Sequence, residues 1–256
     1  MKGFTAFLSK ELTHTLRSMR LLIVVAVFLL LGLMNAPLAK LTPQILEMAG
    51  VAELTGALGM AEPQAFEAWA QFFNNVGQMG ILAILLVCGT ALSGEKSKNT
   101  LVLPLTKGLG RAGVVLAKFL VASLLWAIGM LIAALSSQAA TLALFPGEGV
   151  SHLVLSVAML WLFGQFLLAL VPLSSVLFKG SMSGLIIPGA VLFVLLVLSA
   201  FPDLFAWNPL LLATGGIPLL AGAAEPGDYL ACAIAAILTV VIAPLAAVVL
   251  FKRASV

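Results

Sequence analysis

The sequence predicts an all-α, polytopic membrane protein: six transmembrane helices, an N-terminal helix lying in the membrane interface, and short re-entrant helices before the last span. Three observations carry this. Hydrophobic residues make up 62% of the 256 and charged residues only 9%, against ~25% charged in a soluble domain, so apolar side chains must face lipid. Charge-free runs recur that are long enough to cross a ~30 Å hydrocarbon core, which takes ~20 helical residues. The charges, finally, sort by side: with the threading below, Lys40 is the one Lys or Arg of thirteen that falls outside, while eight of the ten carboxylates do. That is the positive-inside pattern.

The first element runs over residues 3–20. Placed at helical spacing, Phe4, Phe7, Leu8, Leu12, Leu16 and Met19 share one face, and Lys2, Lys10, Arg17 and Arg20 occupy the other with His14 at its edge. A helix so divided lies flat on a membrane. Glu11 falls among the apolar residues, where an unpaired carboxylate would cost several kcal/mol or become protonated, so a partner is expected: Glu11 snorkels to the headgroups or meets Lys10 or Arg17 locally, or it contacts another subunit.

Spans follow at about 21–39, 76–94, 114–138, 153–178, 183–202 and 229–251, within a single domain of residues 1–256. A seventh apolar run, Leu204 to Ala224, carries Trp207, Asn208, Pro209, Gly215, Gly216 and Pro218. These residues break helices. Were it to cross, Lys252 and Arg253 would lie opposite the N-terminus, against the charge rule, so it is read as short helices dipping into the outer face. Removing 21–39 as a secretory leader would invert the charge sorting, and the basic lead of twenty residues is longer than such a leader needs. Between the first two spans, Phe66, Trp69, Phe72 and Phe73 recur at helical spacing. Near a span's end, aromatic residues are expected to anchor at the membrane interface.

The basic loop from Gly94 to Ala117 is the largest feature on the inner side. Gly108, Gly110 and Gly113 form a G-x-G-x-x-G string, but no strand or βαβ unit surrounds it, so a dinucleotide site is excluded. Gly89 to Lys96 fails as a phosphate loop because Glu95 separates Gly94 from Lys96. Apart from Lys118 near the inner end of the third, none of the six spans holds an internal Asp, Glu, Lys, Arg or His, which disfavours ion-driven transport and any intramembrane metal or hydrolytic centre. No catalytic, cofactor-binding or metal-ligating set is predicted. Gln138 and Gln165 are the candidates to line a path, with interhelical hydrogen bonding the plainer reading. Cys88 and Cys232 lie inside separate spans as small apolar fillers. Gly164, Gly184, Gly189 and the stretch Ala233 to Ala236 are placed to let helices approach closely. The net charge of +3 reports membrane orientation, not a nucleic-acid partner.

At this point the residues resemble a family, the permease subunits of type-2 ATP-binding cassette (ABC) exporters, over most of the chain. Lys10-Glu11-Leu12 with Arg17 and Arg20 is similar to the family's elbow helix. Glu95, Lys96, Thr100, Thr106, Lys107, Arg111 and Lys118 match its loop after the second span. Asn99, Gly108 and Gly110 depart from the usual Gly, Pro and Ser, loosening a turn that Pro would stiffen. Asn208-Pro209 is a further small likeness. The resemblance implies a non-catalytic chain in the plasma membrane with both termini cytoplasmic. A separate ATPase subunit, which binds the ATP and Mg, would drive it, and a second permease copy or a related permease would complete it. It makes Lys10, Glu11, Arg17, Glu95, Lys96, Thr100, Lys107, Arg111 and Lys118 the coupling set. In that set Lys107, Arg111 and Lys118 would offer charge to the ATPase or to membrane lipid, and Glu95 would meet a basic group on the ATPase. A non-transporting membrane scaffold or assembly factor is the alternative. The charge-poor interior favours amphipathic or lipid-like cargo over bare ions.

Overall fold

A computed structural model describes residues 2–48, 63–97, 110–201 and 206–253. It is all-helical, with no strands among the described residues. The order is α1 (Lys2–Leu16), α2 (Met19–Met48), α3 (Ala65–Ser97), α4 (Arg111–Leu144), α5 (Leu153–Leu177), α6 (Ser183–Leu198), α7 (Leu211–Thr214), α8 (Gly216–Leu220) and α9 (Leu230–Arg253). Among the described residues, five segments are long and apolar enough to cross a membrane: Met19–Ile45 of α2, α3, α4, α5, and Pro226–Arg253, which comprises a 3-10 turn and α9. The expected fifth crossing, 183–202, falls on α6, an apolar helix shorter than the other five. At ~1.5 Å per residue its sixteen residues rise ~24 Å, less than the hydrocarbon core.

The helices overrun several expected boundaries. α2 continues through Pro37 and Pro43. α3 begins eleven residues before the expected 76, and its Val76–Gly80 segment is a π-turn. As a result Trp69, Phe72 and Phe73 point inward at 1%, 0% and 3% exposure, joined by edge-on ring contacts of 4.9 and 5.4 Å between centroids. This corrects the interfacial reading: Trp69, Phe72 and Phe73 fill the core between α3 and its neighbours, because the helix that carries them packs against α2 with its ring face inward.

Packing divides into three layers. A large central cluster includes Phe28, Trp126, Leu160, Phe163 and Leu167. At the end holding the N-terminus, Phe7, Leu92, Val114, Val115, Val176, Ala247 and Phe251 gather α1 with the ends of α3, α4, α5 and α9. At the other end Ala36, Ala39, Ala65, Ala68 and Phe145 form a tight small-residue cluster. Large apolar side chains such as Leu30, Leu131, Phe193, Leu238 and Leu245 are exposed around the perimeter, as a lipid-facing surface requires.

Glycines set the closest crossings. A Cβ at Gly164 would collide with the Trp126 ring, and one at Gly184 with the Gly89 carbonyl, whereas Gly189 faces open space. Two of the three predicted close-approach glycines therefore act as such. At the far end the Glu148 carboxylate accepts the Ala65 N–H at 2.6 Å, supplying the first turn of α3 with the anion a helix N-terminus favours.

The breaker-rich run forms α7 and α8, and Asn208 is what seats them. Its side chain, 3% exposed, donates to the Leu195 carbonyl at the end of α6 (2.8 Å) and accepts from the Leu210 N–H (2.9 Å). Tyr229 donates to Gly215 O at 3.0 Å, and Ser151 to Leu220 O at 3.0 Å. These bonds satisfy backbone groups that breaking a helix would leave bare in an apolar setting.

Candidate functional site

Basic residues collect at the end of the bundle where α1 lies, and there three cations tie helices together. The central one is Lys118, in the second turn of α4. Its side chain is 4% exposed, and its ammonium stands 3.1 Å from Glu11 Oε2 and 2.9 Å from Glu95 Oε1. Glu11 comes from α1, on the buried stripe of Phe7, Glu11 and Thr15, and Glu95 from the last turns of α3. One ammonium, with three protons to donate, thus joins α1, α3 and α4. Lys10 approaches the other Glu11 oxygen at 3.3 Å and lies over the Phe7 ring.

Electrostatics here balance opposing effects. Burial by itself pushes the Glu11 carboxyl upward, but the Lys118 charge and hydrogen bond, with a smaller contribution from Lys10, outweigh it and hold Glu11 below its ordinary value of 4.5. Glu11 is therefore a carboxylate at neutral pH. A buried ion pair of this kind is poor evidence of net stability, because desolvation offsets attraction. It does make the loss of one partner costly, and so fixes how α1 sits on the bundle.

The other two cations cap helix ends. Arg111 donates to Phe251 O at 2.9 Å and Lys252 O at 3.1 Å, and its guanidinium lies 5.7 Å from the Phe251 ring centre. Lys96 donates to Val176 O at 2.8 Å and Ser175 O at 3.2 Å. Both place positive charge on the last carbonyls of a helix, α9 and α5 respectively, where the helix dipole favours it. The two residues flank the basic loop, so its ends are anchored on different helices.

Of the residues singled out in the sequence, Glu11, Glu95, Lys118 and Lys10 converge on one junction, and Lys96 and Arg111 lie on neighbouring ties. Glu11 finds its partner in Lys118, 107 positions away, with Lys10 as a local second. The charges of Lys118 and Arg111, expected to face a partner or lipid, and that of Lys96 are directed at this chain's own carboxylates and helix ends. Arg17 is exposed in the turn between α1 and α2, where the expected helix 3–20 is broken. Thr100 and Lys107 lie outside the described residues. Gln165, buried in α5, donates to Ser123 O of α4 at 3.3 Å, an interhelical bond. Gln138 belongs to α4, far from it in sequence, and its carbonyl oxygen is buried without a hydrogen-bond partner among the described residues. Cys88 and Cys232 are free and buried.

The seating role of Asn208 and the helix-capping roles of Lys96 and Arg111 are what reading the sequence missed. The Asn-Pro pair inside a Gly-rich apolar run marked the place, since a buried Asn beside a broken helix has backbone groups to satisfy.

Long apolar helices and an apolar perimeter define a multi-pass membrane protein. The sequence profile of the family described as ABC-2 family transporter protein matches residues 5–256, and the chain belongs to that family: it is a transmembrane permease subunit, a membrane component of a transport system. No curated protein matches it.

Proposed function

We propose that the chain is the membrane half of an ATP-driven exporter in the plasma membrane. It crosses six times, with α6 as the fifth crossing and both termini cytoplasmic; α1 lies in the cytoplasmic interface as the elbow, and α7 and α8 re-enter from outside. The charge sorting and the gathering of Lys96, Arg111, Lys118 and Lys252 at one end of the bundle support this sidedness. A separate ATPase subunit binds ATP and Mg and docks below the segment from Glu95 to Arg111 and against the elbow. Its closure pushes that segment, and a second permease copy or a related permease completes the path.

The observation that carries this reading is the Glu11–Lys118–Glu95 junction. Force applied to the loop reaches α3 and α4 at its two ends. Because Lys118 holds Glu11, α1 moves with them as one body. Lys10 on α1 and Arg17 in the turn after it, with Thr100 and Lys107 in the loop, are then the groups offered to the ATPase, while Glu95, Lys96, Arg111 and Lys118 transmit its motion inside the chain.

The experiment is co-expression with the soluble chain encoded beside it, provided that chain carries a complete G-x-x-x-x-G-K-[ST] motif. The ATPase should co-purify with the wild type. Lys107→Glu combined with Arg17→Glu should reduce co-purification, and Lys118→Met should keep the complex but uncouple ATP turnover from transport. An ATPase that binds and turns over identically with all of these variants would refute the assignment and leave a membrane scaffold.

A further inference from the structure

Where α1 turns into α2, an open groove of about 600 Å³ is lined by Ser9, Lys10, Thr13, His14, Arg17 and Ser18. Lys10, His14 and Arg17, at i, i+4 and i+7, form one stripe on the side away from the buried Phe7, Glu11 and Thr15. No carboxylate lines the groove. Glu11, the one acidic residue of α1, is held on the inward side by Lys118. Lys10 shares its charge with Glu11 at 3.3 Å, whereas the side chains of His14 and Arg17 make no ion pair or hydrogen bond among the described residues. Two basic groups are thus left to meet an anion.

The surface beside them decides which kind. Met19, Leu22, Ile23 and Leu30 of α2 are exposed, and their spacing of three, four and seven residues puts them on one apolar face that starts two residues after Arg17. From Met19 to Leu30 is eleven residues, or ~16 Å at ~1.5 Å each, about one leaflet of a ~30 Å hydrocarbon core. A free anion or a soluble partner would leave that face bare. A phospholipid covers both parts, because its phosphate matches the planar fork of a guanidinium and its acyl chain matches the apolar stripe.

We infer that this groove is a headgroup site for one anionic phospholipid of the cytoplasmic leaflet, its phosphate on Arg17 and His14 with Lys10 beside them, and an acyl chain along Met19, Leu22, Ile23 and Leu30. The inference rests on the permease reading for its side, since that reading puts α1 in the cytoplasmic interface, and it names the partner of Lys10 and Arg17 in a chain without its ATPase. The lipid holds the outward face of α1 while Lys118 holds the inward one. A zwitterionic head brings its own cation up to the basic stripe and is disfavoured by like-charge repulsion.

The full chain in phosphatidylcholine nanodiscs, without ATPase, is labelled with phosphatidylglycerol and with phosphatidylcholine carrying the same diazirine tail, and adducts are mapped by mass spectrometry. Phosphatidylglycerol adducts should exceed phosphatidylcholine adducts on residues 19–30. Arg17→Gln should lower that excess about fivefold, the share of one basic residue near an anionic headgroup, with Arg17→Lys lowering it less and Lys10→Gln/Arg17→Gln more. Lys179→Gln, which removes an exposed cation outside the groove, should leave it unchanged. All variants are compared at wild-type helical content by circular dichroism. Equal labelling by both lipids, or an equal fall with Lys179→Gln, would overturn the site. Loss of the excess in millimolar inorganic phosphate at constant ionic strength would mark a free-anion site and overturn the lipid. ATPase co-purification with the wild type is measured separately. Recruitment without a phosphatidylglycerol excess sinks the headgroup site alone, whereas an excess without recruitment sinks the permease reading and leaves the site.

Discussion

Replacing Lys118 with Met keeps the apolar stem of the side chain and deletes the ammonium. Glu11, 7% exposed, is then left with Lys10 at 3.3 Å, and Glu95, whose side chain is a third exposed, loses its contact with α4. Deleting one partner of a buried ion pair costs ~3–5 kcal/mol. The Lys10 contact that remains, and the access of Glu95 to water, place the expected loss near ~3 kcal/mol. Adding Glu11→Gln removes the stranded charge, so the double variant should be more stable than the two single losses summed, with a coupling of ~2 kcal/mol. The sign with pH follows from Glu11. Its folded value is depressed below 4.5, so the junction contributes fully above that pH, and its contribution is lost as pH falls through the lower folded value. Without Lys118 burial dominates, Glu11 takes up a proton more readily, and the deficit of Lys118→Met should shrink on acidification from about pH 7 to about pH 5. Unfolding of the purified chain by titration with SDS in mixed micelles measures all three quantities. A loss under ~0.5 kcal/mol, additive single changes, or a deficit that widens in acid would refute the argument.

Three further outcomes can be checked in the same assay. Arg111→Ala should cost ~1.5–3 kcal/mol through its charge-assisted bonds and speed amide exchange over the last turn of α9, with Arg111→Lys between it and the wild type; unchanged exchange there would contradict the clasp. Asn208→Ala should cost ~1–3 kcal/mol and expose the 206–220 segment to limited proteolysis. Trp69→Ala should cost ~3–5 kcal/mol as a core truncation, whereas an interfacial anchor would lose much less.

Five of the expected spans were legible because apolar length depends on the bilayer alone, and no tertiary contact is needed to see it. What failed was detail at the ends of elements. The early start of α3 was hidden because Ala65, Phe66 and Trp69 read equally well as a surface helix, and only packing against α2 shows that the rings turn inward. The short length of α6 was invisible because the apolar run continues through 199–201 without a break in hydropathy. In the candidate site the need of Glu11 for a partner followed from its angle on α1. Which partner did not, since Lys118 lies 107 positions away and reaches Glu11 only once α1 folds across α4. Lys96 and Arg111 read as positive-inside charge for the same reason: the carbonyls they cap belong to helices that sequence spacing does not connect to them.

The most direct test of the account concerns sidedness, because force from an ATPase can reach the junction only if the junction faces the cytoplasm. In a Cys88→Ala/Cys232→Ala background, Ser97→Cys and Gly149→Cys are treated with a membrane-impermeant maleimide, first on intact cells and then after permeabilisation. Reaction at residue 149 in intact cells, and at residue 97 only after permeabilisation, is the predicted result. Reaction of both in intact cells, or the reverse order, would contradict it.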